Sequence, residues 1–150
     1  MFNSRTQHVR KEQEMREVTT YTDEYNRQTR LTDAQIEWFH EVVASCKAAT
    51  GCDVEIVAFD HDQYRGKSKD ALGCCCTDNP DDPIHGDTYI TIDCFFIAEK
   101  YKERFEGGWD LSFSTLEEVV AHELAHLFVW RHGKKHDKKT AEFLNMIQVA

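Results

Sequence analysis

Hydrophobic positions recur at two different periods along this chain, and the switches between them predict the order of its elements. From Thr32 the period is helical: Ile36, Phe39, Val43 and Cys46 fall on one face. Thr32-Asp33-Ala34-Gln35 has the Thr-x-x-Gln form of a capping box, and Gly51 supplies a stop. Residues 53–59 are β-branched and apolar and predict a strand. The polar stretch 60–70, with Gly66, predicts a loop. Residues 71–77, which carry three consecutive cysteines, predict a second strand. Asp78-Asn79-Pro80-Asp81-Asp82-Pro83 is a loop signal. Its acidic residues lack the alternating oxygen ligands and distal Glu of a calcium loop and read as solvated. In residues 87–93, Thr88, Ile90 and Ile92 alternate onto one side, which predicts a third strand. Residues 94–105 predict a helix that Gly107-Gly108 breaks. Ser114-Thr115-Leu116-Glu117 is a second capping-box pattern and opens a helix over about 115–131 that is apolar nearly all round, with Gly133 as its stop. A last helix, about 138–147, turns Phe143, Leu144 and Ile147 inward.

Residues 1–30 have few large apolar residues and no clear period. They read as a flexible arm, with Tyr21 and Tyr25 packing at its end. The expected architecture is therefore one α+β domain over residues 31–150. A three-stranded sheet packs on the 115–131 helix and its flanking helices.

Charge narrows the partners. The formal net charge is −9, unevenly spread: residues 31–130 carry seven Lys/Arg against twenty Asp/Glu, and residues 131–150 carry five against two. An acidic body argues against broad binding to phosphate backbones, leaving only a local basic patch over 131–139 as a nucleic-acid signal. No stretch is long and apolar enough for a membrane span, and residues 1–17 lack the apolar core of a secretory leader. Of the six cysteines, Cys74, Cys75 and Cys76 are adjacent and point to alternating faces of a strand, a poor disulfide frame. Reduced thiols and a cytoplasmic location are expected.

Within the 115–131 helix lies His122-Glu123-Leu124-Ala125-His126. Residues four apart on a helix lie one above the other, so His122 and His126 offer two imidazoles to one metal ion. Glu123 points close to the same face and is placed to hold a metal-bound water as a general base instead of ligating. A catalytic zinc generally takes three protein ligands. His132 is the favoured third, returned to the metal by a turn at Gly133, with His136 and Glu142 as rivals.

His122-Glu123-Leu124-Ala125-His126 followed by His132-Gly133-Lys134-Lys135-His136 resembles the SprT-like and YgjP/WLM-type zinc metalloproteases. In that pattern a His-Gly or His-Ser follows the His-Glu-x-x-His at a short distance, with an aromatic residue three positions later. Here His136 holds the aromatic place. The spacing from His122 to His132 also matches metzincins, but Val129 stands where those have Gly, and no Met-turn follows. The resemblance covers about residues 71–147. It implies a small zincin (minigluzincin/SprT-like) core and Zn2+ on His122, His126 and His132. It also implies endopeptidase activity on an intracellular protein through a zinc-bound water activated by Glu123. Residues 87–93 are expected to be the edge strand that takes an extended substrate by strand addition. His136, Tyr89 and Tyr101 are candidates for a further oxyanion donor. The alternative is a zinc-stabilised binding or regulatory protein with this fold and little turnover; a small-molecule metallohydrolase is a third reading.

Overall fold

Helix α1, Asp33–Thr50, forms where the periodicity puts it. The Thr32 hydroxyl accepts from Gln35 N–H and the Gln35 side chain accepts from Thr32 N–H, so the capping box closes in both directions. Gly51 ends the helix in the left-handed conformation, φ 72°. Phe39, Val43 and Cys46 are buried, as their spacing requires, whereas Ile36 packs at the core's margin. This computed structural model describes residues 16–63, 71–108 and 114–150.

Strands β3 (Glu55–Phe59), β4 (Gly73–Thr77) and β5 (Thr88–Asp93) form one sheet in the order β3-β5-β4. β5 is parallel to β3 and antiparallel to β4. This corrects the expectation for residues 87–93. Strand β5 is the central strand, hydrogen-bonded on both sides, with Ile90 and Ile92 wholly buried on its helix-facing side. The open edge, among the described residues, belongs to β4. The outer edge of β3 is covered where Val18 N–H donates to Ala58 O and the Glu17 carboxylate accepts from Ala58 N–H.

The N-terminal segment is also corrected. Residues 1–15 lie outside the described residues, but 16–30 fold onto the domain. β1 (Thr20–Thr22) and β2 (Gln28–Arg30) make an antiparallel ribbon. Tyr21 is buried and edge-on to Phe95, Tyr25 is exposed, and Arg16 pairs with Glu55 and Asp87. Two strands of three residues are too short to carry a period, so the pattern of apolar positions missed them.

Helix α2, Cys94–Phe105, starts at Asp93, whose carboxylate accepts from Phe96 N–H, and stops before Gly107, φ 69°. Helix α3, Leu116–Ala125, starts at Thr115, whose hydroxyl accepts from Glu118 N–H. The cap thus sits one residue after Ser114. Helix α4 runs Lys134–Val149, longer at both ends than residues 138–147. The core joins the helix-facing side of the sheet (Ile56, Ala58, Ile90, Ile92) to Val120, Leu124, Phe39 and Phe143. Val57, Thr91 and His61 are buried on the opposite side. A side chain such as Ile92 or Phe39, fully removed from water, contributes about 1.5–3 kcal/mol. The mixed α+β class is as the sequence predicts, and no helix among the described residues is long and apolar enough to cross a membrane.

Candidate metal centre

The motif helix ends much earlier than its apolar pattern suggests, and this early end builds the site. After Ala125 the chain tightens: His126, Leu127 and Phe128 donate to the carbonyls three residues back, at 3.1, 3.1 and 3.0 Å. Leu127 stays buried, so the hydrophobic spacing continues although the α-helix does not. The tightening redirects the chain through Trp130 and Arg131 and brings His132 back towards His122 and His126. Gly133 makes the reversal. Its φ of 147° lies in a region that side-chain-bearing residues rarely adopt.

Three imidazole nitrogens converge as a result. His132 Nε2 lies 3.2 Å from His122 Nε2 and 3.1 Å from His126 Nε2. Ligand atoms of all three lie within 4.8 Å of one another, and among the described residues no other group of three potential ligands does so. His126 Nδ1–H donates to Trp130 O at 2.8 Å, which fixes the tautomer and leaves the Nε2 lone pair facing the cluster. One proton on His132 Nε2 can satisfy only one of its two neighbours. A cation satisfies all three. Metal–nitrogen bonds of 2.0–2.1 Å in a tetrahedral set place their nitrogens about 3.3–3.4 Å apart, close to the spacing seen. The residues therefore fit a divalent metal.

The rivals go elsewhere. His136, in the first turn of α4, is completely buried and stacks on His126 with ring centroids 4.1 Å apart. Its Nε2–H donates to His122 O at 3.0 Å, a carbonyl left free when His126 N–H turns to Glu123 O. His136 thus supports the motif from below. Glu142 pairs with Lys139. Tyr89 lies on the far face of the sheet under the Arg16 guanidinium, 4.4 Å from it, and Tyr101 packs against Trp38 and Phe105. Neither tyrosine lines the cleft.

Burial and neighbouring imidazoles, His136 foremost, lower the His126 pKa to about 4. The same causes lower that of His122. Both rings are held neutral, the form that ligates. Glu123 is buried beneath β4, and its Oε2 has no hydrogen-bond partner among the described residues. Burial, with the Cys76 thiol nearby, raises its pKa to about 8. A buried carboxyl group with an unpartnered oxygen, one residue along the helix from His122, is the kind of perturbed acid that marks a candidate functional site.

A cleft of about 840 Å³ opens over the cluster between β4 and the Thr140–Leu144 face of α4. Leu72, Gly73 and Cys75 form one wall, while His122, Glu123 and His126 form the floor. Gly73 allows the close approach. A Cβ there would lie 2.9 Å from Glu123 Cγ and 3.0 Å from Val119 Cγ1. Sequence reasoning passed over Gly73 and the Trp130 carbonyl. A glycine inside a strand does mark close backbone approach, but nothing local says to what; the carbonyl leaves no trace in the sequence. Arg131 lines the cleft, and Lys134, Lys135 and Lys138 are exposed beside it on α4.

No family model, curated protein or solved structure matches the chain.

Proposed function

We propose that this protein is a zinc-dependent endopeptidase of the zincin kind. The observation that carries the reading is the convergence of three imidazoles, with His132 Nε2 3.1–3.2 Å from the Nε2 atoms of His122 and His126, beside a buried Glu123 whose Oε2 has no hydrogen-bond partner among the described residues. His122, His126 and His132 would hold the ion. Zinc suits three imidazoles and, with three protein ligands, keeps a position open for chemistry. A bound zinc supplies Lewis acidity, polarising a carbonyl and lowering the pKa of water at the site.

The chain's own residues do the rest. Glu123 takes a proton from the water that attacks the scissile carbonyl and hands it to the leaving nitrogen. Beside a cation its carboxylate is stabilised, so the raised pKa of the metal-free chain falls back into the range of a working base. The β4 edge, rather than residues 87–93, offers backbone N–H and C=O groups to an extended polypeptide by strand addition. Gly73 keeps that wall free of a side chain directly over Glu123. An open-edged cleft along a strand favours a polypeptide over a small molecule. A purely structural zinc generally has four protein ligands and no use for a buried general base, which weighs against a binding module.

The test is cleavage of unfolded protein substrates by the zinc-loaded chain and by Glu123→Gln. The variant keeps shape and zinc but loses the base, and is expected to be ~10²–10⁴ times slower. Equal rates in both, or zinc held by a fourth protein ligand with no turnover, contradict the reading.

A further inference from the structure

The three cysteines of β4 are not equivalent. Alternation along the strand puts Cys75 on the helix-facing side, packed against the core, and puts Cys74 and Cys76 together on the other side. The Cys74 and Cys76 sulfurs lie 3.7 Å apart, in contact, and both residues are half-buried. Burial, followed by the charge of Glu123, pushes the Cys75 thiol up to about 12, so that side chain has little thiolate to offer.

We propose that Cys74 and Cys76 form a dithiol modification site that closes to an intrachain disulfide on reaction with a low-molecular-weight disulfide such as oxidised glutathione. One cysteine thiolate attacks the oxidant's S–S bond, forming a mixed disulfide and releasing one glutathione thiolate. The thiolate of the second cysteine then displaces the bound half. The Cys74–Cys76 bond forms and a second glutathione thiolate leaves. The chain gives up two electrons and two protons; the oxidant takes both and departs as two thiols.

Geometry makes this pair, and not its neighbours, the reactive one. Residues two apart on a strand have Cα atoms about 6.6 Å apart, at the upper end of the 4.4–6.8 Å that a disulfide spans. Adjacent cysteines on a strand point to opposite faces and need the backbone to break its pleat. Closing the bridge still draws Cys74 and Cys76 together and puckers β4 at Cys75. Such a bridge is strained, and strained bridges are the readily reduced, reversible ones. Because Cys74 stands opposite Thr91 and Cys76 opposite Tyr89, the pucker loosens the β4–β5 pairing. The consequence for substrate at the β4 edge rests on the endopeptidase reading. The bridge itself does not.

The experiment uses the full-length chain incubated with oxidised glutathione. Remaining thiols are then alkylated under denaturing conditions and the peptides mapped by mass. In the wild type, the peptide carrying residues 74–76 is expected to lose two hydrogens, with Cys75 alkylated. Cys75→Ser keeps the bridge. Cys74→Ser and Cys76→Ser instead retain a glutathione on the one remaining outer cysteine, because the resolving thiol is gone. Thermal melts of each variant check folding, and the wild-type map stands without them. Amide exchange at residues 88–92 is expected to speed up on oxidation and recover on reduction. Glutathione adducts without a bridge in the wild type, or a bridge that includes Cys75, overturn the site. A bridge with unchanged exchange overturns its effect on the sheet.

Discussion

Each histidine of the site has its own task. His132 faces two other imidazoles, whereas His136 donates to a backbone carbonyl and carries stacking from His126. His132→Ala is therefore expected to lose the zinc that wild type retains through dialysis, with little change in the stability of the metal-free chain, since His132 is exposed. His136→Ala leaves a buried carbonyl unpaired and a void beneath His126. It is expected to cost about 2–4 kcal/mol in urea denaturation while still binding zinc when folded. The opposite pattern reverses the two roles. At Gly73 the prediction is steric. Gly73→Ala pushes a methyl carbon against Glu123 Cγ and Val119 Cγ1, costing about 1–3 kcal/mol, and slows cleavage without stripping zinc. The His122, Glu123 and His126 grouping was legible because i, i+4 spacing is a local fact of any helix. Gly73 was not, because its partner is fifty residues away along the chain and only the fold brings it near.

Among the elements, the turn between α3 and α4 decides whether there is a site. Sequence pattern placed Gly133 correctly at a reversal but read the motif helix as running to residue 131. Leu127 is buried whether or not the backbone hydrogen bonds stay α-helical, so periodicity cannot see the tightening after Ala125. Strand order was illegible for a related reason. The alternation of Ile90 and Ile92 says that one face is buried, not which neighbours flank the strand. Gly133→Ala has open space around its Cβ, so its whole cost comes from φ 147°. About 1–3 kcal/mol of strain is expected, relieved by moving the turn and with it His132. The measurement is zinc affinity alongside thermal stability, and both fall. Unchanged zinc affinity would show that His132 is held by something other than this turn.

For the molecule as a whole, the buried site sets a pH signature in the metal-free chain. Glu123 has its folded pKa raised to about 8. Its contribution to stability is fully present below the unfolded carboxylate pKa and is lost as pH rises through about 8. Asp93, raised to about 6 by burial, has the same sign over a lower range. His126, lowered to about 4, has the opposite sign: its contribution is present above the unfolded imidazole pKa and is lost as pH falls from about 6.5 through 4. His122 and His61, also lowered by burial, add to it. From pH 6.5 to 8 the Glu123 effect stands alone among these groups. His40, raised by its hydrogen bond to Glu17, adds a loss of the same sign above pH 6.5 in both proteins, so metal-free wild type is expected to lose up to about 1.4 kcal/mol per pH unit more than Glu123→Gln across that window. Parallel profiles for the two proteins contradict the buried neutral carboxyl group.

The proposed function rests on His122, His126 and His132 sharing one zinc with a position left open. The most direct measurement is X-ray absorption at the zinc edge on the chain loaded with one equivalent of zinc. Three imidazole nitrogens at about 2.0–2.1 Å, one further light-atom ligand and no sulfur shell near 2.3 Å are expected. Sulfur scattering would move the metal to the β4 cysteines, and a fourth imidazole would close the site; either result, or failure of the chain to retain zinc, contradicts the proposed function.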